Sequence, residues 1–176
     1  MVNRVFREWL SLRRLRELPS INDLNPQNFA VDWDWSYIAS SGEKVEGGGC
    51  PVPIFEFVGK NFEHQSADFE TGALYTAVPK GSFLAYATIP IIRLVLKEKI
   101  PIISEGTDSW GEDGILKMRA IGLPFINRLG AVSYVLGSFS GKVTHQKVPD
   151  FPEGLRIFRF VDGRWVAKPV PDDEIG

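Results

Sequence analysis

The sequence predicts an α+β fold, an antiparallel sheet with helices laid over one face. Three observations carry that expectation. Apolar residues alternate with polar ones at 29–38 and again in short runs from 100 to 139. A single longer helical stripe, 83–99, lies between the two groups of strands. An Asp-Gly pair at 162–163 sits between two apolar runs near the end, a hairpin signal.

The elements follow in order. Residues 2–18 read as an amphipathic helix, with Val2, Val5, Phe6, Trp9, Leu10 and Leu12 on one arc and Arg4, Arg7 and Arg14 opposite. Pro19 stops it, and 20–26 is turn chemistry ending at Pro26, which fixes φ. The alternation of Phe29, Val31, Trp33, Trp35 and Tyr37 against Asp32, Asp34 and Ser36 predicts a half-buried strand over 29–38. Residues 40–49 lose all periodicity and carry four glycines, which reads as a loop. A second strand is expected at 54–58 and short helical turns at 62–79. Ser82 then suits the N-cap of the 83–99 helix, and Pro90 should kink or split it. Three strands are expected at 100–105, 115–126 and 131–139. In the second, Leu116, Met118 and Ala120 face one way and Lys117 and Arg119 the other. The hairpin 156–160 with 164–167 follows, and the acidic end of the chain reads as a tail. The resulting division is a helix at 1–19, a domain at 20–145, and a hairpin with tail at 146–176.

Composition narrows the function. The chain has 176 residues, 44% hydrophobic and 24% charged, which suits one soluble globular domain. A net charge of -2 and a pI of about 5.7 argue against nucleic acid as partner. One cysteine, Cys50, excludes an intrachain disulfide framework. The first 18 residues carry five arginines and no continuous apolar core, so no secretory signal is expected there. The longest apolar run, 83–96, contains Pro90 and Arg93 and is too short to span a bilayer. The expectation is a cytoplasmic protein with no integral membrane segment.

The motifs that carry chemistry are incomplete. The glycines at 42–49 resemble a phosphate loop, but Gly48 stands where the lysine should. Gly137-Ser-Phe-Ser-Gly141 resembles a nucleophile elbow, but Phe139 occupies the nucleophile's place. Asp108, Glu112 and Asp113 share a stretch without the spacing of a calcium loop. Asp32 and Asp34, two apart on a strand, would share a face and could do acid–base work. His64 lacks a second metal ligand at helical spacing, and His145 reads as an exposed linker residue. Cys50 has no electropositive neighbour in the sequence to lower its pKa. The expectation is therefore no metal, no cofactor and no catalytic set.

An ordered set of residues resembles the proteobacterial single-domain PAS proteins. It comprises Leu18-Pro-Ser20 with Asp23 and Pro26, Phe55-Glu-Phe-Val-Gly59, Thr71-Gly72, Val78-Pro79, Lys99-Ile-Pro-Ile-Ile103, and the run from Val132 to Gly137. The resemblance spans about residues 9–141. It implies a five-stranded antiparallel PAS sheet with helices on one face, to which the N-terminal amphipathic helix and the C-terminal hairpin are additions. It also implies a pocket between the 83–99 helix and the sheet, lined by Phe57, Phe83, Ala87, Ile91, Leu94, Leu116, Met118, Tyr134 and Leu136. Cys50 does not match the helical cysteine motif of flavin photosensors, and the long helix has no histidine for haem. A coloured cofactor is not expected.

The function so implied is a sensory or regulatory module in signal transduction, without catalytic activity. It would bind a small apolar metabolite, a signalling partner, or both. A homodimer is expected through Phe6, Trp9 and Leu10 of the first helix. Two alternatives remain open at this level. One is a small enzyme using Asp32, Asp34 or His64 in a sheet–helix cavity. The other is a membrane-surface adaptor held by the basic helix.

Overall fold

A computed structural model describes residues 1–13, 16–29, 32–42, 52–63, 70–74, 83–110, 114–145 and 154–168. The expected Cys50, His64 and turns beyond residue 63 fall outside these residues, apart from a short piece at 70–74.

The first helix, α1 (Val2–Arg13), is followed by three short 3-10 turns at Ile21–Asp23, Pro26–Phe29 and Trp33–Trp35. Ser20 caps the first turn. Its side chain accepts from the Asn22 N–H, while its own N–H donates to Asp23, a reciprocal arrangement that satisfies two terminal donors. Strands β1 (Ser36–Ser40) and β2 (Ile54–Val58) come next, then one turn of helix, α2 (Lys60–Glu63). The long helix α3 (Phe83–Glu98) runs unbroken through Pro90. Lys99, at φ +60°, ends it in a left-handed residue, and its N–H reaches back to the Val95 carbonyl. Strands β3 (Ile102–Trp110), β4 (Gly114–Ile126), β5 (Val132–Thr144), β6 (Gly154–Val161) and β7 (Arg164–Lys168) complete the chain.

All seven strands form one antiparallel sheet in the order β2-β1-β5-β4-β3-β6-β7. The α+β class and antiparallel sheet are as the sequence predicts. The sheet is larger than expected because β6 pairs with β3 from Ile102↔Arg159 to Gly106↔Leu155, so the terminal hairpin extends the sheet. Its two-residue turn is Asp162-Gly163, at φ +50° and +77°, the signature of a type I′ connection.

Helices cover both faces, which corrects the expected single covered face. On one face α3 packs through Ile91, Ile92, Leu94 and Val95 against Tyr37, Met118, Ala120, Val135, Phe139 and Ile157. On the other, Val2, Val5 and Trp9 of α1 pack with Phe29 against Ile121, Leu123, Phe125 and Leu136. The reason is visible along β4, where every residue from Met118 to Phe125 except Arg119 is buried. A strand buried on alternate and intervening positions alike needs a cover on each side. Gly122 lets α3 approach: a Cβ there would stand 2.1 Å from Ile91 Cγ2 and 2.9 Å from Val95 Cγ2. Pro124 is tolerated because β3 begins opposite Gly122, so no ladder donor is required of it on that side. Its carbonyl accepts the buried Trp9 indole N–H at 3.0 Å.

The strand expected over 29–38 is a second correction. Phe29 ends one 3-10 turn, Trp33–Trp35 forms another, and only residues 36–40 are extended. Local bonds hold the turns, with Asp32 N–H donating to the Phe29 carbonyl and Trp35 N–H to the Asp32 carbonyl.

Candidate functional site

The nine residues expected to line one pocket divide between the two faces. Ile91, Leu94 and Met118 lie in the packed core beneath α3, and buried Leu116 shares the strand face of Met118. Leu136 and Tyr134 lie on the α1 side, because β5 turns Val135 and Phe139 toward α3 and the intervening residues away. Phe57 is also on the α1 side, stacked on Trp33 at 4.5 Å between centroids. Its displacement has a local cause. β1 pairs Ile38 with Phe57 but Ala39 with Phe55, so Glu56 is an extra residue and the flanking phenylalanines face opposite ways. Phe55 is buried in the α3 core. Phe83 and Ala87 lie on α3, and their side chains are outside the described residues. The single pocket expected from the resemblance is thus not assembled from these nine residues.

Among the described residues, polar groups enter the α3 layer at Thr88 on the helix and at Tyr37, Ser104 and Arg159 on the sheet. The Tyr37 ring lies across Gly137, where an added Cβ would collide with it, and burial pushes its hydroxyl pKa well above the ordinary tyrosine range. Ser104 is fully buried and its hydroxyl has no hydrogen-bond partner among the described residues. Arg159 of β6 is 7% exposed at its side chain and donates through Nε to both Glu98 oxygens of α3, at 2.9 and 2.8 Å. Its Nη1 is buried without a partner among the described residues.

On the opposite face the polar chemistry gathers where α1 meets the 3-10 turns. Arg4 grips Asp32 bidentately, Nε to Oδ2 at 3.0 Å and Nη2 to Oδ1 at 2.6 Å. The Asp32 side chain is 5% exposed, that of Arg4 63%. The hydrogen bond to Asp32, and then its charge, raise the Arg4 pKa. The Asp32 carbonyl also accepts the Ser36 hydroxyl at 2.8 Å. A second bridge runs from Asn28 to Glu8 at 2.7 Å. These two bridges border a cavity of about 380 Å³ lined also by Val5, Arg7, Gln27 and Phe29. A second cavity, about 300 Å³, opens beside the start of α1 against Lys117, Arg119, Ser140 and Lys142.

Asp32 and Asp34 are not a carboxylate pair on one strand face. Asp32 is buried and held by Arg4; Asp34 is exposed and lies 3.4 Å from Lys60. Arg4 sits on the helical arc read as solvent-facing, and its partner is 28 residues away. No local pattern marks that pairing. Asp108 lies on β3, and His145 is exposed just beyond β5. Among the described residues no group of three or more His, Cys, Asp or Glu comes together around a metal position.

The dimer interface expected on α1 is largely occupied within the chain. Trp9 is 1% exposed against its own sheet. Phe6 stacks with Trp9 and meets Phe160 and Trp165 of the terminal hairpin at 5.0 and 5.1 Å. Of the three, Leu10 alone is exposed. The physical reason is that the wide apolar arc of α1, together with Phe29 and the residues of the 3-10 turns, packs on the sheet face that α3 does not cover. Arg13 lies over the Trp9 ring at 5.4 Å. Among the described residues no helix is long and apolar enough to cross a membrane. The chain matches no protein-family model, no curated protein and no solved structure.

Proposed function

We propose that this chain is a PAS-type sensory or regulatory module of the cytoplasm that works by binding and shape change and not by catalysis. One observation carries the reading. Five adjacent strands run β2-β1-β5-β4-β3, and the chain between β2 and β3 brings α3 across one face. That arrangement supports the PAS-like core suggested by the sequence, with α1 and the β6–β7 hairpin as additions. The moving part in this reading is α1. It is docked by an apolar stripe but held at its edge by the Arg4–Asp32 pair, whose arginine is largely in water. A small apolar molecule or a signalling partner favours one packing of α1 over another and so shifts the population. An interface with a water-exposed ion pair at its rim suits an element that opens without global unfolding.

Native mass spectrometry of the freshly purified protein, followed by denaturation of the same sample, tests the reading. The expected result is an excess mass that is lost on denaturation, together with the oligomer mass. A bare monomer whose α1 hydrogen exchange is unchanged by cell-extract metabolites and proteins overturns it.

A further inference from the structure

We infer that the C-terminal hairpin is a coupler that ties the packing of α3 on one face of the sheet to the docking of α1 on the other. The inference rests on the reading of α1 as the moving part. Its physical basis is the pleat of β6. Successive residues of a strand point to opposite faces, so Arg159 and Phe160 reach the two layers from adjacent positions. Arg159 goes to the α3 face and meets Glu98 in the last turn of that helix. Phe160 goes to the α1 face and meets Phe6 edge-on at 5.0 Å. Trp165, opposite Phe160 on β7, closes the group against both rings at 5.1 and 5.2 Å. One peptide bond therefore separates the contact with α3 from the contact with α1.

The coupling has two states because of how Arg159 is buried. Among the described residues its Nη1 has no partner, and Glu98 is the anion that holds this guanidinium in the interior. When the last turn of α3 moves and Glu98 withdraws, the buried charge is left uncompensated, which a packed interior does not tolerate. Arg159 must then leave, and β6 with it. Phe160 moves with its neighbour and the aromatic contact with Phe6 opens. The same contacts read in reverse: undocking α1 removes the support of Phe160 and loosens Arg159 on Glu98, as linkage requires.

Hydrogen exchange by mass spectrometry on the full chain tests this with Glu98→Gln, which keeps the shape and removes the charge. The expected result is exchange about ten-fold faster in α1 and in β6–β7, with the β4–β5 ladder within about two-fold of the parent. Phe6→Ala should in turn speed exchange in the last turn of α3. Faster exchange confined to β6–β7, or a uniform rise that includes β4–β5, overturns the coupling. Glu98→Gln combined with Arg159→Met removes both charges. It should return α1 to the parent rate, and failure to do so also overturns the coupling. These outcomes do not depend on any bound ligand. A coupled hairpin in a protein that carries no adduct and answers to no partner would sink the sensory reading and leave the coupler standing.

Discussion

Adding one methyl group at position 122 probes the seat of α3 directly. Gly122 lies on β4 beneath the helix, and an alanine Cβ would stand 2.1 Å from Ile91 Cγ2, 2.9 Å from Val95 Cγ2 and 3.4 Å from Val135 Cγ1. Carbon atoms pack best at roughly 3.5–4.0 Å, so the first contact falls more than an ångström short. Ile91 and Val95 are both fully buried and sit on a helix held at its far end by Glu98 and Arg159, which leaves them little room to retreat. The cost expected for Gly122→Ala is that of an overpacked core, about 2–3 kcal/mol. For a chain of this size that corresponds to a fall in Tm of roughly 4–12 °C. Urea unfolding with the slope and midpoint fitted separately measures it. Ile91→Ala, which removes the colliding atom, should cost about 2–5 kcal/mol alone because it opens a cavity. The double variant should be less damaging than the sum of the two by about 1 kcal/mol or more, since each change makes room for the other. A Gly122→Ala protein within about 0.5 kcal/mol of the parent, or strict additivity in the cycle, would refute the close approach of α3 to β4.

Other outcomes follow from the same contacts. Trp9→Ala should cost about 3–5 kcal/mol in chemical denaturation, because the indole is fully buried and its N–H bonds the Pro124 carbonyl. Tyr37 gives a pH dependence of known sign. Its hydroxyl stays neutral in the folded protein at a pH where the unfolded chain ionises, so the unfolded state binds fewer protons above about pH 10. Stability should therefore fall by an additional 1.4 kcal/mol or so per pH unit above about pH 10, and Tyr37→Phe should remove that increment in urea titrations. Gly163→Ala should cost about 1 kcal/mol or more by thermal unfolding, since the type I′ turn needs a positive φ there. Leu129→Lys, at a hairpin tip that is 91% exposed, should leave Tm within about 1–2 °C of the parent.

Some of this architecture is written locally and some is not. The β6–β7 hairpin is legible because Asp162-Gly163 can take the positive φ values a tight turn demands and few other pairs can. The second strand and the long helix are legible from their apolar spacing. The 29–38 segment is misread because alternating aromatics fit a strand as well as they fit consecutive 3-10 turns over so few residues. The choice is made by packing, with Trp33 against Phe57 and Phe29. The second covered face has a signal in the sequence: Ala120-Ile-Gly-Leu-Pro-Phe125 is apolar at every position, as a strand covered on both sides must be. The split of the pocket residues turns on the parity of β5 and on the bulge at Glu56, and a bulge leaves no trace in composition. Arg4 with Asp32 and Glu98 with Arg159 join residues far apart in the chain, so periodicity says nothing of either.

The position of β1 in the sheet bears on how the chain comes to be folded at all. β1 lies between β2 and β5, and Ser36 is paired with Ser138, more than a hundred residues later. Strands β3, β4 and β5 follow one another as a meander and close on local contacts. The segment that carries Trp33, Trp35, Tyr37 and Phe55 must wait for β5 before it has a place to dock. During synthesis it emerges early and gains its partner strand only once β5 has been made, with its aromatic surface uncovered in the interval. Truncation before residue 132 would leave that surface permanently without its partner strand, so short nascent fragments of this protein should be substrates for chaperones, and the finished chain should not.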